Sequence, residues 1–102
     1  MARKEHKTTP KLVWQTLYTD SAAVVLESPL WFDWLSSNAT FYLESQEGTF
    51  TARREVRNGA AFWYAFRRHR NKLYKAYLGR TADLTQARLL AVARQLAEKA
   101  GA

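Results

Sequence analysis

The sequence predicts an α+β domain: a three- to four-stranded antiparallel β-meander packed on a C-terminal α-helix, preceded by a short Trp-rich helical segment. Three observations predict it. From Thr40 onward apolar residues alternate with period two; Glu47-Gly48, Asn58-Gly59 and Arg70-Asn71 interrupt that alternation at hairpin spacing; and from Leu89 the period becomes helical.

The chain has 102 residues, which suits one hydrophobic core. With 47% hydrophobic and 14% aromatic residues it is too apolar for the disordered class. The absence of cysteine excludes disulfides and thiolate metal sites and fits a reducing compartment. No apolar run approaches the ~20 residues of a membrane span. Met1–Lys11 is basic but is followed by neither a continuous apolar stretch nor a cleavage site, so it does not read as a signal peptide. The expected location is cytoplasmic, with no membrane partner. Residues 1–10 read as a basic flexible arm, and 11–102 as a single domain with a helical lead-in (11–38), a sheet (40–79) and a helix (85–100).

Element by element, the lead-in has apolar residues at Leu12, Val13, Trp14, Leu17 and Tyr18, then a second apolar stretch from Ala22 to Leu26, neither with a clean period. Ser28 is an N-cap and Pro29 suits the first helical position, so a short helix follows, carrying Leu30, Trp31, Phe32, Trp34 and Leu35 and ending near Ser36–Asn38. Its rings must cover an edge or a face of what comes next. The main strands are Thr49–Arg57, Ala60–Arg68 and Lys72–Leu78, with Phe41–Glu44 as a fourth. Thr85 caps the last helix, Leu84 and Leu89 form its hydrophobic staple, and Gly101 ends it. Leu89, Val92, Ala93, Leu96, Ala97 and Ala100 make one apolar stripe.

Asn58-Gly59 sets the register, since a two-residue loop puts Arg57 opposite Ala60. Val56 then pairs with Ala61, Glu55 with Phe62, Arg54 with Trp63, Arg53 with Tyr64, Ala52 with Ala65 and Thr51 with Phe66. A two-residue Arg70-Asn71 loop pairs Arg68 with Leu73, Phe66 with Lys75, Ala65 with Ala76, Tyr64 with Tyr77 and Trp63 with Leu78; a three-residue loop would swap the faces of the third strand. One face then holds Phe50, Ala52, Val56, Ala61, Trp63, Ala65, Ala76 and Leu78, and its central alanine row lets the C-terminal helix approach closely. The other face holds Thr51, Arg53, Glu55, Phe62, Tyr64, Phe66, Arg68, Leu73, Lys75 and Tyr77. It is either an open contact surface or a second buried face under the Pro29–Leu35 helix.

Charge bears on what an open surface would bind. The chain carries +7, but Leu12–Ala52 has five acids and no base, whereas Arg53–Arg80 has nine bases against Glu55 alone. A block of that sign attracts polyanions. Rings alternating with cationic heads suit bases, sugars and phosphates. The candidate nucleic-acid-binding residues are Thr51, Arg53, Tyr64, Phe66, Arg68, Arg70, Lys72, Lys75, Tyr77 and Arg80, with double-stranded DNA the expected ligand and DNA favoured over RNA. A protein-interaction or homodimerisation module is the alternative. Catalytic chemistry has no visible carrier: His6 and His69 lack partners at metal-ligand spacing, the aspartates are scattered, and no Gly-rich phosphate loop or nucleophile elbow is present. The expectation is no enzyme, no metal and no cofactor.

Gly48-Thr49-Phe50-Thr51-Ala52-Arg53-Arg54-Glu55, Phe62-Trp63-Tyr64-Ala65-Phe66-Arg67-Arg68, Lys72 through Arg80, Asp83-Leu84-Thr85 and Ala87-Arg88-Leu89, with Trp31-Phe32-Asp33-Trp34-Leu35 and Phe41 ahead of them, resemble a short module at the N-terminus of large LuxR-type, MalT-like bacterial transcriptional regulators. That resemblance implies a bacterial, cytoplasmic, regulatory setting. It covers most of the chain from about Leu30, without the nucleotide-binding and helix-turn-helix domains of those regulators. In the order of its elements the chain is also similar to the three-stranded arm-site DNA-binding domains of tyrosine-recombinase integrases. That likeness implies a sheet laid in the major groove, with contacts from Arg53, Tyr64, Phe66, Arg68, Lys75 and Tyr77.

Overall fold

The computed structural model of the chain describes residues 9–13, 15–19 and 22–101. The basic arm, apart from Thr9 and Pro10, lies outside the described residues, as does Trp14. The elements are β1 (Lys11–Val13), β2 (Thr16–Tyr18), β3 (Ala23–Val25), α1 (Pro29–Ser37), β4 (Thr40–Ser45), β5 (Gly48–Arg57), β6 (Ala60–His69), β7 (Lys72–Gly79), a 3-10 turn (Thr81–Asp83) and α2 (Gln86–Ala100). The fold is α+β: one seven-stranded mixed sheet, in the order β3-β2-β1-β4-β5-β6-β7, and two helices. Every neighbouring pair is antiparallel except β1 and β4, which run parallel.

The lead-in therefore differs from expectation: residues 11–25 form three short strands, and only Pro29–Ser37 is an α-helix. Each strand has three residues with one buried apolar side chain at its centre, Leu12, Leu17 or Val24. Three residues are too few to display a period of two, which is why the pattern is invisible in the sequence. Pairing aligns the three strands, with Leu12 opposite both Leu17 and Leu43, and Leu17 opposite Val24, so that the three centres extend the inner row of β4, with β3 at the sheet edge.

The hairpins follow their turn residues. Asn58 (φ 52°) and Gly59 (φ 80°) are both left-handed, as a type I′ turn requires, and β5 and β6 pair from Arg57↔Ala60 to Thr51↔Phe66 as expected. Arg70 (φ 52°) and Asn71 (φ 66°) make a second two-residue turn of the same kind, which keeps the predicted faces of β7. The expected pair of Trp63 with Leu78 is replaced by Trp63↔Gly79, with an irregularity between Trp63 and Tyr64. Leu78 stays fully buried, so the extra residue is absorbed as a bulge and the inward direction of Leu78 is kept.

Both helices pack on the same side of the sheet. Ser28 caps α1, its hydroxyl accepting from the Trp31 amide, and Thr85 caps α2 in the same way through the Arg88 amide. Leu89, Val92, Ala93 and Leu96 bury the α2 stripe against β5, β6 and β7, where Ala52, Ala65 and Ala76 leave room. Trp31 and Leu35 join the same core; Trp31 meets Phe41 edge-on at 5.4 Å, and Phe41 meets Trp63 at 5.5 Å. Trp31 Nε1 donates to the Leu84 carbonyl (2.8 Å) and Trp63 Nε1 to Thr81 Oγ1 (3.1 Å), so both buried indoles are satisfied. Val56, assigned to the core face by register, is instead 65% exposed: it stands next to the Asn58-Gly59 turn, beyond the reach of either helix. Arg94 Nε donates to Glu47 Oε1 (3.0 Å) and ties α2 to the β4–β5 turn; that hydrogen bond and the carboxylate charge raise the guanidinium pKa. Among the described residues no helix is long and apolar enough to cross a membrane.

Candidate nucleic-acid interface

Because α1 and α2 share one side, nothing among the described residues covers the other. The rings of α1 are consumed in the inner core, where Phe32 and Trp34 also pack, and do not cross to the outer face. Of the two alternatives for that face, the open one is the one observed.

The twofold alternation of β5–β7 directs Thr51, Arg53, Glu55 and Arg57, then Phe62, Tyr64, Phe66 and Arg68, then Leu73, Lys75 and Tyr77 outward. Phe62, Tyr64 and Phe66 on the central strand are half-buried, whereas Leu73 and Tyr77 on the edge strand are 51% and 46% exposed. Tyr77 lies 5.5 Å from Tyr64 and 6.3 Å from Phe62, both at tilted angles. Cations sit over these rings: Lys75 Nζ is 4.4 Å from the Tyr64 centroid and 5.4 Å from that of Phe66, Arg53 is 5.8 Å over Phe66, Arg57 is 5.8 Å over Tyr64, and Arg80 is 5.6 Å over Phe62. At exposed sites each such contact stabilises by roughly 0.5–1 kcal/mol. They also keep the charged heads close to the ring surface of the sheet.

One carboxylate tempers the charge. Glu55 accepts from Arg57 (3.1 Å) and stands 3.8 Å from Lys75. Arg53, Arg68 and Arg80 have no ion pair among the described residues, so their charge is available to an anion. The site can thus neutralise phosphates with several guanidinium and ammonium groups while offering apolar ring surface between them.

The predicted site residues divide. Thr51, Arg53, Tyr64, Phe66, Arg68, Lys75 and Tyr77 share the outer face, and Arg80 reaches it through Phe62. Lys72 does not join them: its ammonium lies 5.3 Å over Tyr74, which packs against the core on the helix-bearing side. Arg70 occupies the β6–β7 turn at the rim.

The outer face also holds residues that were not among those candidates. Arg57 and Phe62 belong to the ring-and-cation cluster; the register already puts Phe62 on this face, and it carries Arg57, two residues beyond Glu55, as well. Tyr42, opposite Thr51, and Lys11 and Tyr18 beyond it, continue the surface onto β4, β1 and β2. The alternation Phe41-Tyr42-Leu43 signals that Tyr42 faces away from the core; Lys11 and Tyr18 carry no such signal, because their strands are too short.

Compared with known proteins, the chain matches no family model, no curated protein and no solved structure.

Proposed function

We propose that this chain is a non-enzymatic nucleic-acid-binding domain that uses the outer face of β5–β7 as its contact surface. The observation that carries this is the uncovered face itself, on which Arg53, Arg57, Lys75 and Arg80 lie over Phe62, Tyr64 and Phe66. An uncovered apolar surface of this kind marks an interaction site, and guanidinium groups over rings match the alternation of phosphate and base along a nucleic acid. The resemblance to regulator modules is in keeping with a role in gene regulation.

A homodimer through the open edge of β7 is the weaker reading. That edge carries Lys72 and Lys75, and Arg88 donates to the Leu78 carbonyl (2.9 Å) and the Tyr77 carbonyl (2.9 Å), which occupies acceptors an added strand would need.

Fluorescence-anisotropy titration of labelled oligonucleotides at two salt concentrations tests the proposal. Binding that weakens steeply with salt is expected, because each neutralised phosphate releases counterions. Absence of binding to any oligonucleotide at low salt refutes it.

A further inference from the structure

The outer face does not stop at β5. Tyr18 is opposite Lys11, Lys11 opposite Tyr42, Tyr42 opposite Thr51, Thr51 opposite Phe66, and Phe66 opposite Lys75, so one row of side chains crosses six strands. Residues directly opposite one another stand on the same face. At ~4.8 Å per strand interval the row is about 24 Å long. Rings and cations alternate along it except at Thr51, which separates Tyr42 from Phe66. The Lys11 ammonium is 3.4 Å from Glu44, an exposed pair of the kind that contributes little and exchanges readily for a phosphate.

Two physical points bear on the form of the nucleic acid. A B-form major groove is about 12 Å wide and admits a helix or a two-stranded ribbon, so a face this broad rests on a duplex rather than entering it. Against a duplex, the rings would meet phosphates and base edges, since the π-faces of paired bases are hidden in the stack. Among the described residues no cation lies over Tyr18, Tyr42 or Tyr77, in contrast to Phe62, Tyr64 and Phe66. Tyr18 is 54% and Tyr77 46% exposed. Such rings are matched by unstacked bases, which only a single strand presents.

We infer that the ligand is a single-stranded nucleic acid lying across the β-strands along the row from Tyr18 to Lys75, with Tyr18 and Tyr42 as further binding residues. This rests on the proposed function and specifies its substrate class. The basic segment Arg53–Arg80 and its ring-bearing face point to duplex DNA in the sequence; the width of the seven-stranded sheet is what alters the expectation.

The test compares a labelled 12-nucleotide DNA, the RNA of the same sequence, and the corresponding DNA duplex, each titrated with the full chain and with Tyr18→Ala and Tyr42→Ala. Thermal melts establish that the variants are folded, and Tyr42→Thr, which suits a strand, replaces Tyr42→Ala where the alanine lowers the melting temperature. Single strands are expected to bind at least tenfold more tightly than the duplex. Loss of one ring should weaken single-strand binding by roughly five- to a hundred-fold, with a smaller effect on the duplex. The DNA and RNA arms identify the source of the strand. Equal or tighter duplex binding, or single-strand affinity unchanged in both variants, overturns this inference and leaves the proposed function standing. Absence of binding to all three overturns the proposed function as well.

Discussion

Arg53 and Arg54 are adjacent in β5 and act on opposite sides of the sheet. The Arg53 guanidinium lies over Phe66 on the outer face, whereas Arg54 Nη1 donates to the carbonyls of Ser36 (2.9 Å) and Leu35 (3.3 Å) at the end of α1. Last-turn carbonyls have no donor within their helix, and they form the negative end of its dipole. Arg54→Ala should therefore lower stability by about 1–3 kcal/mol. Arg53→Ala should leave stability within about 0.5 kcal/mol and weaken nucleic-acid binding by about 1–3 kcal/mol. Urea melts and binding titrations on the two variants check the contrast, and equal stability losses would contradict it.

Two left-handed glycines should respond differently to alanine. At Gly79 (φ 127°) an added Cβ meets Asp83 Cβ at 2.8 Å and Oδ2 at 2.9 Å, and that carboxylate accepts the Arg80 amide. Gly59 (φ 80°) has nothing within 4 Å. Gly59→Ala then costs only the backbone penalty of about 1–2 kcal/mol, and Gly79→Ala about 2–4 kcal/mol, because steric strain adds to it. Denaturation midpoints of the pair decide.

Arg70 is a long side chain held at a positive φ, and Asn71 follows it in the same region. Replacing Arg70-Asn71 with Asn-Gly should stabilise the protein by about 1 kcal/mol and raise its melting temperature by a few degrees. A fall in melting temperature would show that Arg70 has a structural role beyond the turn.

The bond from Trp31 Nε1 to the Leu84 carbonyl is buried. Trp31→Phe keeps most of the ring packing but leaves that carbonyl without a donor, so a loss of about 1–3 kcal/mol is expected in urea melts. A loss below about 0.5 kcal/mol would mean that water replaces the indole.

On the proposed function, Arg68 contributes through charge: it is exposed and has no ion pair among the described residues. Arg68→Ala should reduce the slope of log affinity against log salt by about 0.7–1, one phosphate contact. Lys72→Ala, on the helix-bearing side, should leave the slope unchanged. Titrations over a salt series give both slopes.

Local chemistry explains which parts of the architecture were legible. Asn58-Gly59 alone fixes the partners of Thr51 through Arg57, Ser28 and Thr85 mark the two helix starts, and the alanine row at Ala52, Ala65 and Ala76 marks where α2 lies. Legibility failed where structure depends on distant partners. Lys11–Val13 becomes a strand only because Leu43 is there to align with Leu12, and nothing within three residues records that. At Leu78 a bulge keeps the side chain inward while Gly79 lies close against Asp83, a residue outside the strand that nothing within β7 records. For the candidate site, the choice between an open and a covered outer face depended on which side α1 packs, and α1 is aromatic on too many sides for its own sequence to decide.

The parallel pairing of β1 with β4 also has a consequence in time. Leu12 leaves the ribosome about thirty residues ahead of Leu43, its neighbour in the finished sheet, while β4 to β7 each pair with the strand made immediately before or after. Closing that long loop costs entropy that the buried inner row must return, which makes β1–β4 the least local pairing of the sheet. Two of the rings named above, Tyr18 on β2 and Tyr42 on β4, are thus brought into one row by the sheet pairing with the largest sequence separation.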